Sequence, residues 1–226
     1  MTGCFPLYLP FQKRASELSW SKWIIRFALI LFLSTSVVTM GCGTPVATWV
    51  SLGISLLNTI LPTIPALITG IESLLGQTLT AAQVAKLTTI FQGASDLLTQ
   101  ALTALNTYEA NPQATTIQQI QTILTQVKAN LSNIVADVGI TDAATATKIQ
   151  AIAQTFIDLA QSILNILPTV TAEGKLHAKK LSQQQLNAVT PQIWAAQFNS
   201  VIKAPSGSAA VDNAFKNVKA VPAKAK

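Results

Sequence analysis

The fold is decided by the stretch VAKLTTIFQGASDLLTQALTALNTY, residues 84–108. Its apolar residues recur at alternating steps of three and four, which places them on one face of an α-helix. A half-buried strand would instead show apolar residues at every second position, and no such alternation of useful length competes. The stretch therefore predicts one long amphipathic helix, with the apolar stripe Val84, Leu87, Phe91, Ala94, Leu98, Ala101, Leu105 and Tyr108.

The same period recurs in three further segments, at residues 46–74, 117–138 and 149–166. Residue types that start or stop helices lie between them. These signals are a capping box at Thr80 and Gln83, a break at Asn111-Pro112, a stop at Gly139, a cap at Thr141-Asp142 and a stop at Pro168. The sequence thus predicts about four long helices joined by short connections.

Short connections force successive helices to run antiparallel. The first helix is apolar over most of its circumference, and Pro62 and Pro65 are predicted to kink or split it. We therefore predict an all-α protein, an up-down antiparallel helical bundle that occupies residues 42–174. The broad apolar face of residues 46–75 is expected to form the fourth wall of this bundle.

An apolar run precedes the bundle. Phe27 to Met40 carries no charge and follows a basic stretch, which is the pattern of an export signal. Thr39-Met40-Gly41-Cys42 ends the run and resembles a lipobox, the processing signal of bacterial prolipoproteins. The resemblance implies that residues 1–41 are a signal peptide and that Cys42 is lipidated after cleavage.

The resemblance also implies a destination. In lipoproteins of this type an Asp after the cysteine favours retention in the inner membrane, whereas this chain has Gly43. The implied location is therefore the cell envelope, anchored by acyl chains in the outer membrane. Two alternatives stay open, namely an uncleaved anchor helix and ordinary secretion with a chance cysteine at position 42.

Charge is unevenly distributed along the chain. From Cys42 to Gly174 three lysines stand against seven acidic residues, a balance of −4. From Lys175 to the end eight lysines stand against Asp212 alone, a balance of +7. No arginine follows Arg26, although arginine is preferred for bidentate contacts with bases and phosphates. We expect an acidic body with a basic C-terminal part and no nucleic-acid partner.

The predicted mature chain offers little for catalysis or for binding metal. Cys4 lies in the leader and Cys42 at the processing site, so no disulfide and no zinc site is expected. His177 is the single histidine, and the acidic residues are spread along the whole body. General acid–base catalysis needs two groups that converge on one site. We therefore expect no enzyme activity, no metal and no cofactor.

After Pro168 the helical pattern weakens. Residues 175–204 begin with a basic cluster and continue into a short amphipathic helix from Thr190-Pro191. Its apolar side is predicted to cap the open end of the bundle. The alternative is a contact with a membrane or a partner, with the candidate residues Trp194, Phe198, Lys175, Lys179 and Lys180. Residues 205–226 are expected to form a mobile basic tail.

Thr and Gln occupy the predicted outer faces where Glu and Lys pairs are usual, and such a surface permits self-association. The function we expect is that of a non-enzymatic, lipid-anchored envelope protein of structural or interaction type, bound to a protein partner or to a second copy. One alternative is a membrane-active or self-assembling protein that uses the apolar segment 46–75. Another is a carrier of an apolar ligand between the helices.

The lipobox makes a prediction about mass. The protein taken from the membrane fraction of its host is expected to begin at Cys42 and to carry acyl groups, and Cys42→Ala is expected to lose both features. Intact-mass analysis of the two proteins side by side checks this. A full-length, unmodified mass for the wild type would instead identify the apolar run as an uncleaved anchor.

Overall fold

The computed structural model describes residues 46–177 and 190–223. The chain divides into two compact units between Cys42 and Gly43, and all described residues belong to the second unit. The predicted signal peptide and Cys42 lie outside the described residues. In chain order the elements are α1 (Val46–Ile60), a 3-10 turn (Leu61–Thr63), α2 (Ile64–Glu72), α3 (Ala81–Ala110), α4 (Ala114–Ser132), α5 (Ile134–Val138), α6 (Ala143–Ile166), β1 (Thr169–Val170), β2 (Leu176–His177), α7 (Pro191–Lys203) and α8 (Ala209–Phe215).

The predicted stretch is helix α3, and its whole apolar stripe is buried. The capping box at its start is confirmed, because Thr80 N donates to Gln83 Oε1 at 2.9 Å and Gln83 N donates to Thr80 Oγ1 at 3.3 Å. α3 ends at Ala110, directly before Asn111-Pro112. Local sequence chemistry therefore sets both ends of the longest helix.

The first segment is split as its prolines predict. α1 ends at Ile60, and Pro62 lies in the 3-10 turn that leads into α2. Pro65 occupies the first turn of α2, where its missing N–H leaves no hydrogen bond unmade. The kink thus falls between two short helices rather than inside one long helix.

The third segment differs from its prediction as one continuous helix. It breaks at Asn133, whose backbone (φ −116°, ψ 19°) is not helical, into α4 and the short α5. Asn competes for local backbone hydrogen bonds and favours such interruptions. Gly139 then ends α5 in the left-handed conformation (φ 73°), and Asp142 caps α6 by accepting from Thr145 N at 2.8 Å.

The long helices run antiparallel, as predicted. The start of α3 lies beside the end of α5, where Gln83 Nε2 donates to Gly139 O at 2.6 Å. Neighbouring pairs are α1 with α3, α3 with α4, and α4 with α6. The all-α helical bundle is therefore confirmed, with one small two-stranded hairpin in which Thr169 pairs with His177.

The closure of the bundle differs from the prediction. α7, expected as an appended segment, packs on both α1 and α6 and fills the space between them. Its buried residues belong to the same hydrophobic cluster as those of the long helices. The predicted boundary between a bundle (42–174) and a separate segment (175–204) therefore does not divide the core.

The expectation of a mobile tail is wrong for residues 205–223. This part contains α8 and buries Val211, Phe215, Val218 and Ala220. Phe215 packs directly on Gly70 of α2, since a Cβ added at Gly70 would lie 2.8 Å from Phe215 Cδ1. The lysine-rich composition suggested a solvated tail, but the apolar residues spaced between the lysines dock it on the bundle.

The contact between Gly70 and Phe215 predicts the effect of one added methyl group. Gly70→Ala should lower the free energy of unfolding by ~1–3 kcal/mol, because the methyl would overlap the ring of Phe215. Gly93→Ala is the matched control, since a Cβ there meets no atom within 4 Å and alanine favours a helix by ~1 kcal/mol. Urea unfolding measures both; equal effects of the two variants would contradict the packing described.

Candidate functional site

Trp194 and Phe198, the candidate contact residues of α7, are buried at 5% and 0% exposure. Their rings stack at 5.0 Å, and each packs edge-on against Phe156 of α6 at 6.0 Å. Trp194 Nε1 also donates to Thr155 O at 3.1 Å. The hypothesis that these two side chains contact a membrane or a partner is therefore wrong. They pack on the bundle, along its side rather than at its open end.

Of the three candidate contact lysines, the structure describes one. Lys175 is exposed next to strand β2. Lys179 and Lys180 lie outside the described residues, as does Cys42. The structure thus brings none of the candidate contact lysines together with Trp194 and Phe198 in one described site.

The structure adds a residue that the sequence reasoning missed, Lys148 of α6. It is 3% exposed, and its Nζ donates to the carbonyls of Val201 (3.2 Å), Ile202 (3.1 Å) and Ala204 at the C-terminal end of α7. A cation at a helix C-terminus is favourable because the free carbonyls concentrate negative charge there. The signal was present in the sequence, since a lysine stands beside Ile149 and Ile152 on the apolar stripe.

Lys148 also connects α6 to the C-terminal segment. Asp212 Oδ1 lies 3.8 Å from Lys148 Nζ and accepts from Ser206 N at 2.9 Å. Burial lowers the pKa of Lys148, and the charge of Asp212 partly opposes that effect. Hydrogen bonds from Ser206 and the nearby Lys148 lower the pKa of Asp212. Lys148 thus links α6 to the end of α7 and to Asp212. The hydrogens of its ammonium group are used in these structural contacts.

The outer face of α4 is polar and uncharged. We call the following set the α4 polar face: Thr115, Gln118, Gln119, Thr122, Thr125 and Gln126, of which all are exposed. The hydroxyls of Thr122 and Thr125 donate to carbonyls of their own helix, at 2.9 and 2.8 Å. Among the described residues, no hydrogen bond joins the three glutamine amides to another residue. The face therefore offers free amides and no charge.

A surface groove of about 550 Å³ lies along α6. It is lined by apolar side chains, one threonine and two glutamine amides: Val135, Ala146, Thr147, Gln150, Ala151 and Gln154. The amide of Gln154 is already bonded to Asp158 at 2.7 Å. The residues that line the groove carry no titratable side chain.

The titratable residues of the described ranges do not meet the requirements of a metal site. No group of three or more His, Cys, Asp or Glu that could hold a metal ion occurs among residues 46–177 and 190–223. Asp142 is lowered in pKa by its hydrogen bonds from Thr145, which is the capping contact of α6. The pKa of Glu173 is lowered by its hydrogen bond from Thr171 in the β1–β2 turn.

The segment Thr48–Glu72 is long and apolar enough to cross a membrane, judged by length and composition. Half of its most apolar stretch is buried inside the domain. The core helix of a soluble protein and a signal sequence can have the same length and apolar composition. The finding therefore identifies an apolar segment and does not by itself establish a membrane span.

Comparison with protein-family models, with curated proteins and with solved structures found no match for this chain.

The burial of Lys148 predicts a pH dependence. Its pKa in the folded protein is below the ordinary 10.5, so in the interval between the two values the unfolded chain binds more protons. The free energy of unfolding should therefore rise with pH in that interval. Lys148→Met should lose this rise and should be less stable near neutral pH, because the carbonyls of α7 lose their donor.

Thermal unfolding of both proteins from about pH 7 to pH 10 measures this difference. Burial raises the pKa of Tyr108, which works in the opposite direction above pH 10.0. Subtracting the Lys148→Met curve from the wild-type curve removes that contribution. Parallel curves for the two proteins would show that Lys148 does not titrate differently on folding.

Proposed function

We propose that the chain is a non-enzymatic, lipid-anchored protein of the cell envelope, in the outer membrane, whose bundle presents an interaction surface. The observation that carries this proposal is the α4 polar face. It offers hydrogen-bonding groups along the helix and no charge that would need a counter-charge. Soluble domains usually keep such outer faces charged, which prevents association.

The sequence around Cys42 supports an anchor there. Thr39-Met40-Gly41-Cys42 ends an uncharged apolar run. A chain cut before Cys42 keeps every described residue, since these begin at Val46. Val46 begins α1 four residues after Cys42, a distance of at most ~14 Å along the chain. Acyl chains on Cys42 would thus hold the bundle close to a bilayer.

Burial of the α4 polar face against a partner would cost less in desolvation than burial of a charged face. The hydroxyls of Thr122 and Thr125 keep their intrahelical bonds when covered, so these two donors stay satisfied. The amides of Gln118, Gln119 and Gln126 can each donate and accept hydrogen bonds. Two copies of the face can also meet without repulsion. A protein partner or a second copy of the chain fits this chemistry.

The carrier alternative has less support. Buried side chains from α3, α4, α6 and α7 occupy the space between these helices, where an apolar ligand would have to bind. The groove beside Gln150 is open to solvent on the outer side of α6. An apolar ligand would gain more from an enclosed site.

The proposal predicts a contact at Gln119 in the membrane-bound protein. A photo-crosslinking amino acid at position 119 is expected to give a discrete adduct with a partner or with a second copy. Gln126→Glu should weaken that adduct, because the carboxylate places an unpaired charge in the contact at nearly unchanged shape. Electrophoresis and mass spectrometry of the adduct measure both effects.

The matched control uses Gln197, which is exposed on α7. A crosslinker at position 197 should give no discrete adduct, and Gln197→Glu should leave the adduct at position 119 unchanged. The same adducts at both positions, or none at either, would contradict the α4 polar face as the interaction surface. The mass of the anchored protein tests lipidation separately.

A further inference from the structure

The last described part of the chain lies over the first. We call residues 205–223 the cover and residues 46–72 the apolar segment. α8 of the cover packs on α2 of the apolar segment. Phe215 rests on the backbone of Gly70, and Ala223 N donates to Thr59 Oγ1 at 2.9 Å. The apolar segment is therefore enclosed on this side by residues more than 140 positions later in the chain.

The cover is held by few polar contacts. Asn199 exchanges two hydrogen bonds with the backbone of Ala220, at 2.8 and 2.9 Å, and these hold it to α7. Asp212 meets Lys148 at 3.8 Å. Gly207, with φ 87°, lies in the short connection between α7 and α8.

The apolar segment has the properties that a bilayer requires. Residues 43–71 contain no charged side chain. The hydroxyls of Thr59, Thr63 and Thr69 donate to carbonyls of the same segment, at 2.9, 2.7 and 3.1 Å. Polar groups in hydrocarbon must be satisfied internally, and these already are. At ~1.5 Å per residue, α1 and α2 with 15 and 9 residues extend about 22 Å and about 14 Å on either side of the 3-10 turn, so in line they would reach across ~30 Å of hydrocarbon.

The net charge of the cover is positive. Lys216 and Lys219 are exposed, and the partly exposed carboxylate of Asp212 contacts Ser206 N and Lys148. Lys224 and Lys226 follow in the sequence. Lysines near a membrane surface are attracted to anionic lipid headgroups. An anionic bilayer would therefore draw the outer side of the cover, in competition with its contacts on the apolar segment.

We propose that the cover is released at an anionic lipid surface and that the apolar segment then inserts into the bilayer. This activity is separate from the α4 polar face and does not depend on lipidation of Cys42. A lipid surface can shift the equilibrium between the docked and the released cover only if it binds one of these two states more tightly than the other. Here the surface binds the lysines of the released cover and the apolar segment that the cover hides.

A reversible lock tests the proposal. In a chain that begins at Gly43 and so lacks both native cysteines, Thr59→Cys with Ala223→Cys places a thiol pair at the contact between cover and apolar segment. The described core lies wholly within this chain, and circular dichroism confirms its folding before use. The reduced protein should release dye from vesicles containing phosphatidylglycerol, and the oxidised protein should lose this activity. Phosphatidylcholine vesicles should stay intact with both.

A second readout locates the apolar segment. With Trp194→Phe, Trp49 at the start of α1 is the single tryptophan of the same chain. Lipids with brominated acyl chains should quench Trp49 in the reduced protein and not in the oxidised protein. Equal dye release or equal quenching in the two redox states would overturn the proposal.

A pair of core variants separates release of the cover from general unfolding. Phe215→Ala removes the side chain that holds the cover, and Leu124→Ala removes a fully buried side chain of α4. The two variants are compared at temperatures at which their free energies of unfolding are equal. Under these conditions only Phe215→Ala should accelerate dye release. Equal acceleration by both would attribute leakage to unfolding and overturn the proposal. Dimers of Phe215→Ala that do not bind lipid would also overturn it, since the cover would then hide a protein-binding face.

Discussion

The packing of Trp194 and Phe198 on Phe156 is the contact on which the bundle depends. It holds α7 in the space between α1 and α6, which would otherwise expose the apolar sides of both helices. Aromatic rings in edge-on and stacked contacts fill such a space better than aliphatic side chains would, because each ring buries a large area. With α7 in place, its C-terminal carbonyls meet Lys148, and the chain beyond it is directed back over α2.

Much of this fold follows from short-range signals in the sequence. The stripe of residues 84–108, the capping box at Thr80, the prolines of the first segment and Gly139 each act within a few residues, so their effects could be predicted. The positions of α7 and of residues 205–223 could not, because they depend on surfaces contributed by distant helices. Gly70 illustrates the difference. The absence of a side chain at this position matters only because the ring of Phe215, 145 positions later, packs against it.

The candidate sites were predicted less well for the same reason. Trp194 and Phe198 form an apolar face whether they meet a membrane or a helix, and only the fold shows that they meet Phe156. Lys148 stands beside Ile149 and Ile152 in the sequence, but its partners at the end of α7 are more than 50 positions away and only the fold shows them. The uncharged character of α4 was visible in the sequence, because composition of an exposed face needs no knowledge of its neighbours. The processing site at Cys42 is likewise local and stays a prediction.

The distance along the chain between Thr59 and Ala223 has a consequence for biogenesis. The hydrogen bond between them spans 164 positions, so α1 receives this contact only after Ala223 has been synthesised. Contacts of such high sequence separation form late and slow the folding of a domain. α1 and α2 can pack on the nearby α3 well before that point, so docking of residues 205–223 is expected to complete the domain last. For an exported chain, as proposed here, slow docking would lengthen the time during which the domain is incompletely packed.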